Sequence, residues 1–528
     1  MVDTYDYIIV GSGAGGSVVA NRLTEDEAAT VLLLEAGPSE MSDAMAVPWR
    51  WNEMLLGLYD WGYNSVPQSG LNGHNVYSAA GRGTGGGSIL YHMMHVRAKP
   101  ADLAGWVDGG ARGWGWNECL PYYQKSENQT DETNPTAGRG GPMDVMNARE
   151  TGSTISQTFI DACVELGYPE IADLNHDSAG AAWQHVNIKD GKRGGVLTSY
   201  LEPALQRPNL TLHANSRATR LLFEGSRCVG VEFVRDGALH TARATTEVVV
   251  SAGAIESPKL LNLSGIGNAE HLAALGIPVA VELPGVGENF QDHPLVIGPI
   301  GRLDRPGADP RGQMTEASLF WRSSEDQPVP DVEVSLVHRA PFGDDFFKNI
   351  VARIQTGEPV APVSDLVDPN VILSLPSLIR PMSRGSVRIK SSDFTVSSDL
   401  DPNYCGESTD IERLTDIVGI ARDIYASQAF AGLGLQELSP GPTVTDRPAL
   451  RDWVRNNAGS YYHFVGSCKI GVDDMAVVDA ELNVRGTDGL RIVDGSVMPT
   501  IPAANTHATV VMIAERGADM IKAKAASA

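Results

Sequence analysis

The chain has 528 residues, room for several units of about 150 residues each or for fewer, larger lobes. Its 41 Lys and Arg against 65 Asp and Glu leave a net charge of −24, which argues against nucleic-acid binding and against docking on an anionic membrane. A composition of 42 % hydrophobic and 20 % charged residues excludes a disordered chain.

The 56 glycines follow no collagen period and predict tight turns and close backbone approaches, as around a large ligand. The five cysteines are widely spaced without a C-x-x-C pair. That pattern points to a reducing compartment and away from a disulfide scaffold or zinc site. No His/Cys/Asp cluster has metal-ligand spacing, so no metal is expected. The N-terminus lacks a basic leader, and no run reaches about 18 apolar residues. A cytoplasmic protein is expected.

In chain order, residues 5–10 read as a buried strand. Gly11-Ser12-Gly13-Ala14-Gly15-Gly16 follows at once, and 17–23 have helical spacing. Residues 30–34 are a second strand ending at Glu35. Residues 36–150 are rich in Gly, Pro and Trp without clear periodicity and predict an irregular ligand-wrapping segment. Strands are predicted over 217–223, 228–234, 239–244 and 247–250, then a helix near 257. Residues 300–455 hold apolar strands at 332–338 and 371–377, another at 386–390, and a helix near 409–426. A last strand (490–493) and a last helix (505–522) close the chain.

Gly11, Gly13 and Gly16 form G-x-G-x-x-G between a strand and a helix. The first glycine makes the turn, the second admits a pyrophosphate to the backbone, and the third lets helix and strand pack. The helix N-terminus offers free N–H groups to phosphate. Glu35 lies nineteen residues after Gly16 and is placed to accept ribose hydroxyls, which disfavours NADP.

At this point the sequence resembles the glucose–methanol–choline (GMC) oxidoreductases over nearly its whole length. The matching blocks are 6–38, 81–93, 251–267, 283–294, 461–471 and 489–521. The resemblance implies an α/β protein with a discontinuous Rossmann-like FAD-binding lobe (1–150, 205–300 and 456–528). A second, α+β lobe with an antiparallel sheet (151–204 and 301–455) would bind substrate. It places Gly11, Ser12, Gly13, Ala14 and Gly16 on the FAD pyrophosphate and Glu35 with Ala36 on the ribose. Arg82, Gly86, Gly87, Ser88 and Tyr91 would run along the flavin. Ala218 and Ala252 would meet the adenosine half. Tyr462, Asp494, Gly495, Thr506 and His507 would complete the flavin site. The loop departs from the family at Thr84, where an aliphatic residue is usual, and at Tyr91, where Asn or His is usual. Leu90 stands where some relatives link a histidine covalently to FAD, and His92 lies two positions on, so non-covalent FAD is expected.

Oxidising an alcohol requires a base for the hydroxyl proton and an acceptor for the α-hydride, which the resemblance makes flavin N5. Histidine suits the base, with an ordinary pKa of about 6.5. His463 and His507 match the family's catalytic pair, with His463 as base and His507 on the hydroxyl oxygen. Tyr461 and Phe464 are expected to wall the substrate pocket. Trp321 and Phe346 or Phe347 are candidates from the second lobe. His293 is read as structural, because it follows a turn away from the catalytic blocks. The implied function is oxidation of a primary alcohol, aromatic or aliphatic, to the aldehyde; an aromatic-lined pocket would also suit a quaternary ammonium held by cation–π contact. O2 or another acceptor would take the electrons. A hydroxynitrile lyase or a non-catalytic FAD scaffold on the same fold remain alternatives.

Overall fold

The computed structural model describes residues 3–176, 179–305, 313–340 and 368–527. The first strand, β1 (Asp3–Val10), enters the glycine turn and helix α1 (Ala14–Leu23). β2 (Val31–Leu34) pairs parallel to β1 and is wholly buried, as its unbroken apolar run requires. β3 (Leu210–His213) extends the sheet beyond β2. β4 (Ser216–Glu224), β5 (Arg227–Arg235) and β6 (Ala238–Val250) form an antiparallel meander.

β6 also pairs parallel to β1, and its last residues pair with β7 (Leu490–Ile492). The sequence suggests two strands across 239–250; one strand of 13 residues spans both. Its first four residues are exposed on the meander, the next four alternate in exposure, and its end is buried on both faces between β1 and β7.

Helix α2 (Gly253–Leu263) follows β6, and α3 (Thr506–Ser527) packs on α1. Arg22 of α1 reaches Glu515 of α3 through two bonds of 2.9 and 2.7 Å, and Tyr200 donates to the same carboxylate at 2.7 Å. A fork-on-carboxylate contact of this kind fixes the helices against each other. The segment 36–150 is less irregular than expected. It holds helices Pro100–Asp108 and Trp116–Ser126, the second packed on α3.

A second, antiparallel sheet of eight strands carries the other core. Its main path runs from Gln436–Ser439 through Ile300–Arg302, Val371–Leu378, Val332–His338 and Ala317–Trp321 to Gly180–Trp183. Helices Thr154–Glu165 and Ser408–Tyr425 cover it, burying Phe159, Leu414, Ile417 and Val418. Pro294–Val296 pairs with both Val371–Leu378 and Ala458–Ser460. This junction brings residues 292–293 beside 460–463. Among the described residues no helix is long and apolar enough to cross a membrane.

Candidate active site

Between the sheets lies a cavity of about 410 Å³. Its nucleotide end is built on glycine. A Cβ on Gly86 would lie 2.6 Å from the Gly13 Cα, so the 81–88 loop and the dinucleotide turn touch backbone to backbone. A Cβ on Gly16 would lie 1.9 Å from the Gly11 carbonyl oxygen, so this residue packs helix on strand and does not line the cavity. Gly13 begins α1 without a side-chain cap, leaving the first-turn N–H groups for an anion.

Glu35 is buried at this end. One carboxylate oxygen accepts from the Ser12 N–H at 3.0 Å and the Ser12 hydroxyl at 2.7 Å, and the other accepts from the Gly37 N–H at 2.8 Å. Burial raises its pKa, and these bonds oppose the shift. Ser12 therefore holds Glu35 and does not line the cavity. Arg82 also stays off the lining and lies over the Trp61 ring at 5.3 Å. Gly11, Gly13, Ala14, Ala36, Gly87, Ser88, Ala218 and Ala252 all line the cavity. So do Gly495, Thr506 and Asp494, but the Asp494 carboxylate is occupied by protein donors. It accepts from the Gly253 N–H at 2.8 Å, the Ser257 hydroxyl at 2.6 Å and the Ser496 N–H at 2.8 Å.

The opposite end gathers histidines. His507 sits in the first turn of α3 with its ring 4.5 Å from that of Tyr91. Both of its ring nitrogens are buried and have no hydrogen-bond partner in the protein. Burial, with His95 adding a little, pushes its pKa down to about 3. Tyr91 is anchored by donating to the Gly194 carbonyl at 2.8 Å, so the unusual tyrosine acts as a ledge for His507.

His463 lies against Tyr461, ring centroids 4.3 Å apart. Its N–H donates to Asp292 at 2.7 Å, and its Nδ1 is 3.0 Å from His293 Nδ1. Burial, then His293 and His92, holds its pKa well below the usual histidine range. Burial thus favours the neutral ring in both members of the predicted pair, the state a proton acceptor needs.

His293 does not sit apart as the sequence suggests. The Pro294–Ser460 pairing and the Tyr461 N–H bond to the His293 carbonyl, 3.0 Å, bring it onto His463. Asp292 beneath it accepts from Ser460, Tyr404 and the His463 N–H, and burial raises its pKa to about 6.

Tyr461, Tyr462 and Phe464 line the cavity, Phe464 also stacking on Phe290 at 5.6 Å. Trp321 does not; it packs edge-on against Tyr168, centroids 5.1 Å apart, against the second core. Phe346 and Phe347 lie outside the described residues. Leu90 and His92 both line the cavity, His92 with its ring 4.2 Å from Trp51 and its Nδ1 3.3 Å from the Thr315 hydroxyl. Trp51, Met94, Leu295, Leu375 and Asn505 complete this wall and were not identifiable in the sequence. Trp51 falls in the aperiodic segment, and Leu295 and Leu375 read as ordinary core.

An uncapped helix opening within G-x-G-x-x-G, a buried acid at the end of β2 and paired buried histidines in one cavity define a dinucleotide-dependent oxidoreductase. The chain belongs to the GMC oxidoreductase family, which matches over residues 5–295 and again over 381–514. It is an FAD-dependent oxidoreductase acting on CH–OH donors. Human mitochondrial choline dehydrogenase is 36 % identical across 99 % of this chain and 91 % of its own length. An oxygen-dependent choline dehydrogenase of Escherichia coli is 36 % identical across 98 % of this chain and 95 % of its own. The crystal structure of pyridoxine 4-oxidase from Mesorbium loti superposes with a TM-score of 0.88 at 32 % identity, covering 98 % of both chains.

Proposed function

We propose that the substrate is an uncharged primary alcohol with an apolar or aromatic body, deprotonated by His463 while His507 holds the hydroxyl oxygen. One observation carries this reading. Two buried imidazoles face one cavity, His463 with a nitrogen held by His293 and His507 with both nitrogens free of protein partners. Unpartnered buried nitrogens cost free energy unless a ligand meets them. A ring N–H of His507 donates to the alcohol oxygen and steadies the negative charge that grows there. His463 takes the proton.

The glycine turn, Glu35, the 86–88 loop, Ala218, Ala252 and the start of α3 would hold FAD, which when bound supplies the hydride acceptor. Leu90 offers no nucleophile, so the attachment is non-covalent. Flavin that stays with acid-precipitated protein would move the link to His92. The five cysteines are unpaired and buried, which supports a reducing compartment.

The argument for an uncharged substrate comes from the histidine end. Trp51, Met94, Leu295, Leu375 and Tyr461 form an apolar and aromatic wall there. Among the described lining residues the carboxylates are Glu35, Glu256 and Asp494, and each is engaged at the nucleotide end. Glu256 is bonded to the Tyr63 hydroxyl at 2.7 Å and to Arg217 at 3.2 Å. Choline, which the two sequence relatives are named for, would bring a permanent cation to a wall whose carboxylates are engaged elsewhere, leaving only aromatic faces such as those of Trp51 and Tyr461 to meet it by cation–π contact.

A panel of benzylic, medium-chain and quaternary-ammonium alcohols tests this, with aldehyde as the readout. Benzylic or alkyl alcohols are expected to exceed choline in kcat/KM by at least about tenfold. Choline as the best substrate would overturn the reading. Cyanide release from a cyanohydrin without alcohol oxidation would favour a lyase.

A further inference from the structure

We infer that His293 is a positioning residue that fixes His463 in the tautomer with its proton on Nδ1 and its lone pair on Nε2. The inference rests on His463 being the base and supplies the reason its cavity-facing nitrogen is the free one.

The two Nδ1 atoms are 3.0 Å apart and the rings meet edge to face at 89°. At that distance one nitrogen donates and the other accepts, so the pair shares a single proton between them. His293 is wholly buried. The Nε2 of His293 makes no hydrogen bond to any of the described residues. A base must present a lone pair to the substrate, and with Nδ1 turned to His293 the nitrogen left to His463 for this is Nε2. The neutral His463 ring therefore carries its proton on Nδ1 and donates it to the Nδ1 of His293, which accepts.

The backbone enforces the same geometry. The Tyr461 N–H donates to the His293 carbonyl at 3.0 Å, and the His463 N–H donates to Asp292 at 2.7 Å. Residues 292–293 thus grip 461–463 at the main chain and at the ring together. When the substrate O–H bond breaks and the Nε2–H bond forms, His463 becomes a cation. Its Nδ1–H···Nδ1 bond to His293 then becomes charge-assisted and strengthens as the proton transfers. The help comes in the transition state, not in substrate binding.

The test uses the flavin-loaded protein with His293→Leu, which removes the acceptor, and His293→Asn, which returns an amide oxygen near the Nδ1 position. His293→Leu is expected to lower the limiting rate constant of flavin reduction by about 10²-fold or more. The apparent Kd for the alcohol should stay within about threefold, and His293→Asn should recover most of the loss. Nitrogen-15 NMR of histidine-labelled protein, with His463→Gln for assignment, supplies a readout independent of turnover. Wild type should show His463 Nε2 as the unprotonated nitrogen, and His293→Leu a mixture of tautomers. A protonated Nε2 in wild type overturns the inference, and so does a His293→Leu variant unchanged in both tautomer and rate. If His293→Leu does not fold, the wild-type spectrum still decides. Should His463→Gln reduce flavin at the wild-type rate, the base assignment fails while the tautomer signature stands, so the two failures are read apart.

Discussion

Replacing Gly16 with alanine puts the helix–strand crossing under direct test. The added Cβ would sit 1.9 Å from the Gly11 carbonyl oxygen and 3.2 Å from a methyl of Ile9. A relaxed carbon–oxygen contact is about 3.3 Å, so α1 has to retreat from the glycine turn by more than about 1 Å. The obstructing atom is backbone and has no rotamer to swing away. Overpacking costs typically about 1–3 kcal/mol, and this site belongs at the upper end. The retreat also withdraws the helix N-terminus from the cavity, so flavin binding falls further than stability does. Flavin-to-protein ratio by absorbance and melting followed by flavin fluorescence measure both effects. The expected result is a Tm lower by several degrees and a mostly flavin-free preparation. Gly87→Ala is the comparison, because its Cβ meets no heavy atom within 4 Å and Gly87 lines the cavity. Its flavin-free Tm should be unchanged while flavin binding weakens. A Gly16→Ala protein with full flavin and wild-type Tm would refute the packing argument.

Two other substitutions probe different parts of the molecule. Gly105 is exposed inside helix Pro100–Asp108, with open space where a Cβ would go. Gly105→Ala should stabilise by about 0.5–1 kcal/mol in urea unfolding, and destabilisation would contradict the helix assignment. Glu333 is buried behind Tyr461, accepting from its hydroxyl at 3.1 Å and from Ser335 at 2.6 Å, and burial raises its pKa from 4.5 to about 7. The folded state therefore holds this proton more tightly, and stability is lost as pH rises from about 4.5 through about 7. Glu333→Gln keeps an acceptor and removes that loss, so it should gain up to about 3 kcal/mol over wild type at pH 8 and little at pH 4. Equal differences at both pH values would sink the assignment.

What was legible in the sequence follows from how local each constraint is. The β1–turn–α1–β2 unit could be read directly, because an apolar run, fixed glycine spacing and a terminal acid all lie within 35 residues. His463 and His507 were legible through the family resemblance, since no local pattern marks a catalytic histidine. Helix Trp116–Ser126 escaped because Pro121 lies inside it and its buried face runs Cys119, Tyr123 and Ser126, which is weakly apolar. The 13-residue β6 read as two strands because its halves meet different neighbours. His293 could not be placed at all without the register of Pro294–Val296 on Ala458–Ser460, a pairing across more than 160 residues.

Catalysis is proposed to need His463 and His507 together, acting on an alcohol within one cavity. Stopped-flow reduction of the flavin by an alcohol under argon, in wild type, His463→Gln and His507→Ala, tests it most directly. Rapid bleaching is expected in wild type, and a loss of about 10²–10⁴-fold in each variant with flavin content retained. Bleaching at the wild-type rate in both variants, or no bleaching of wild type by any alcohol, would contradict it.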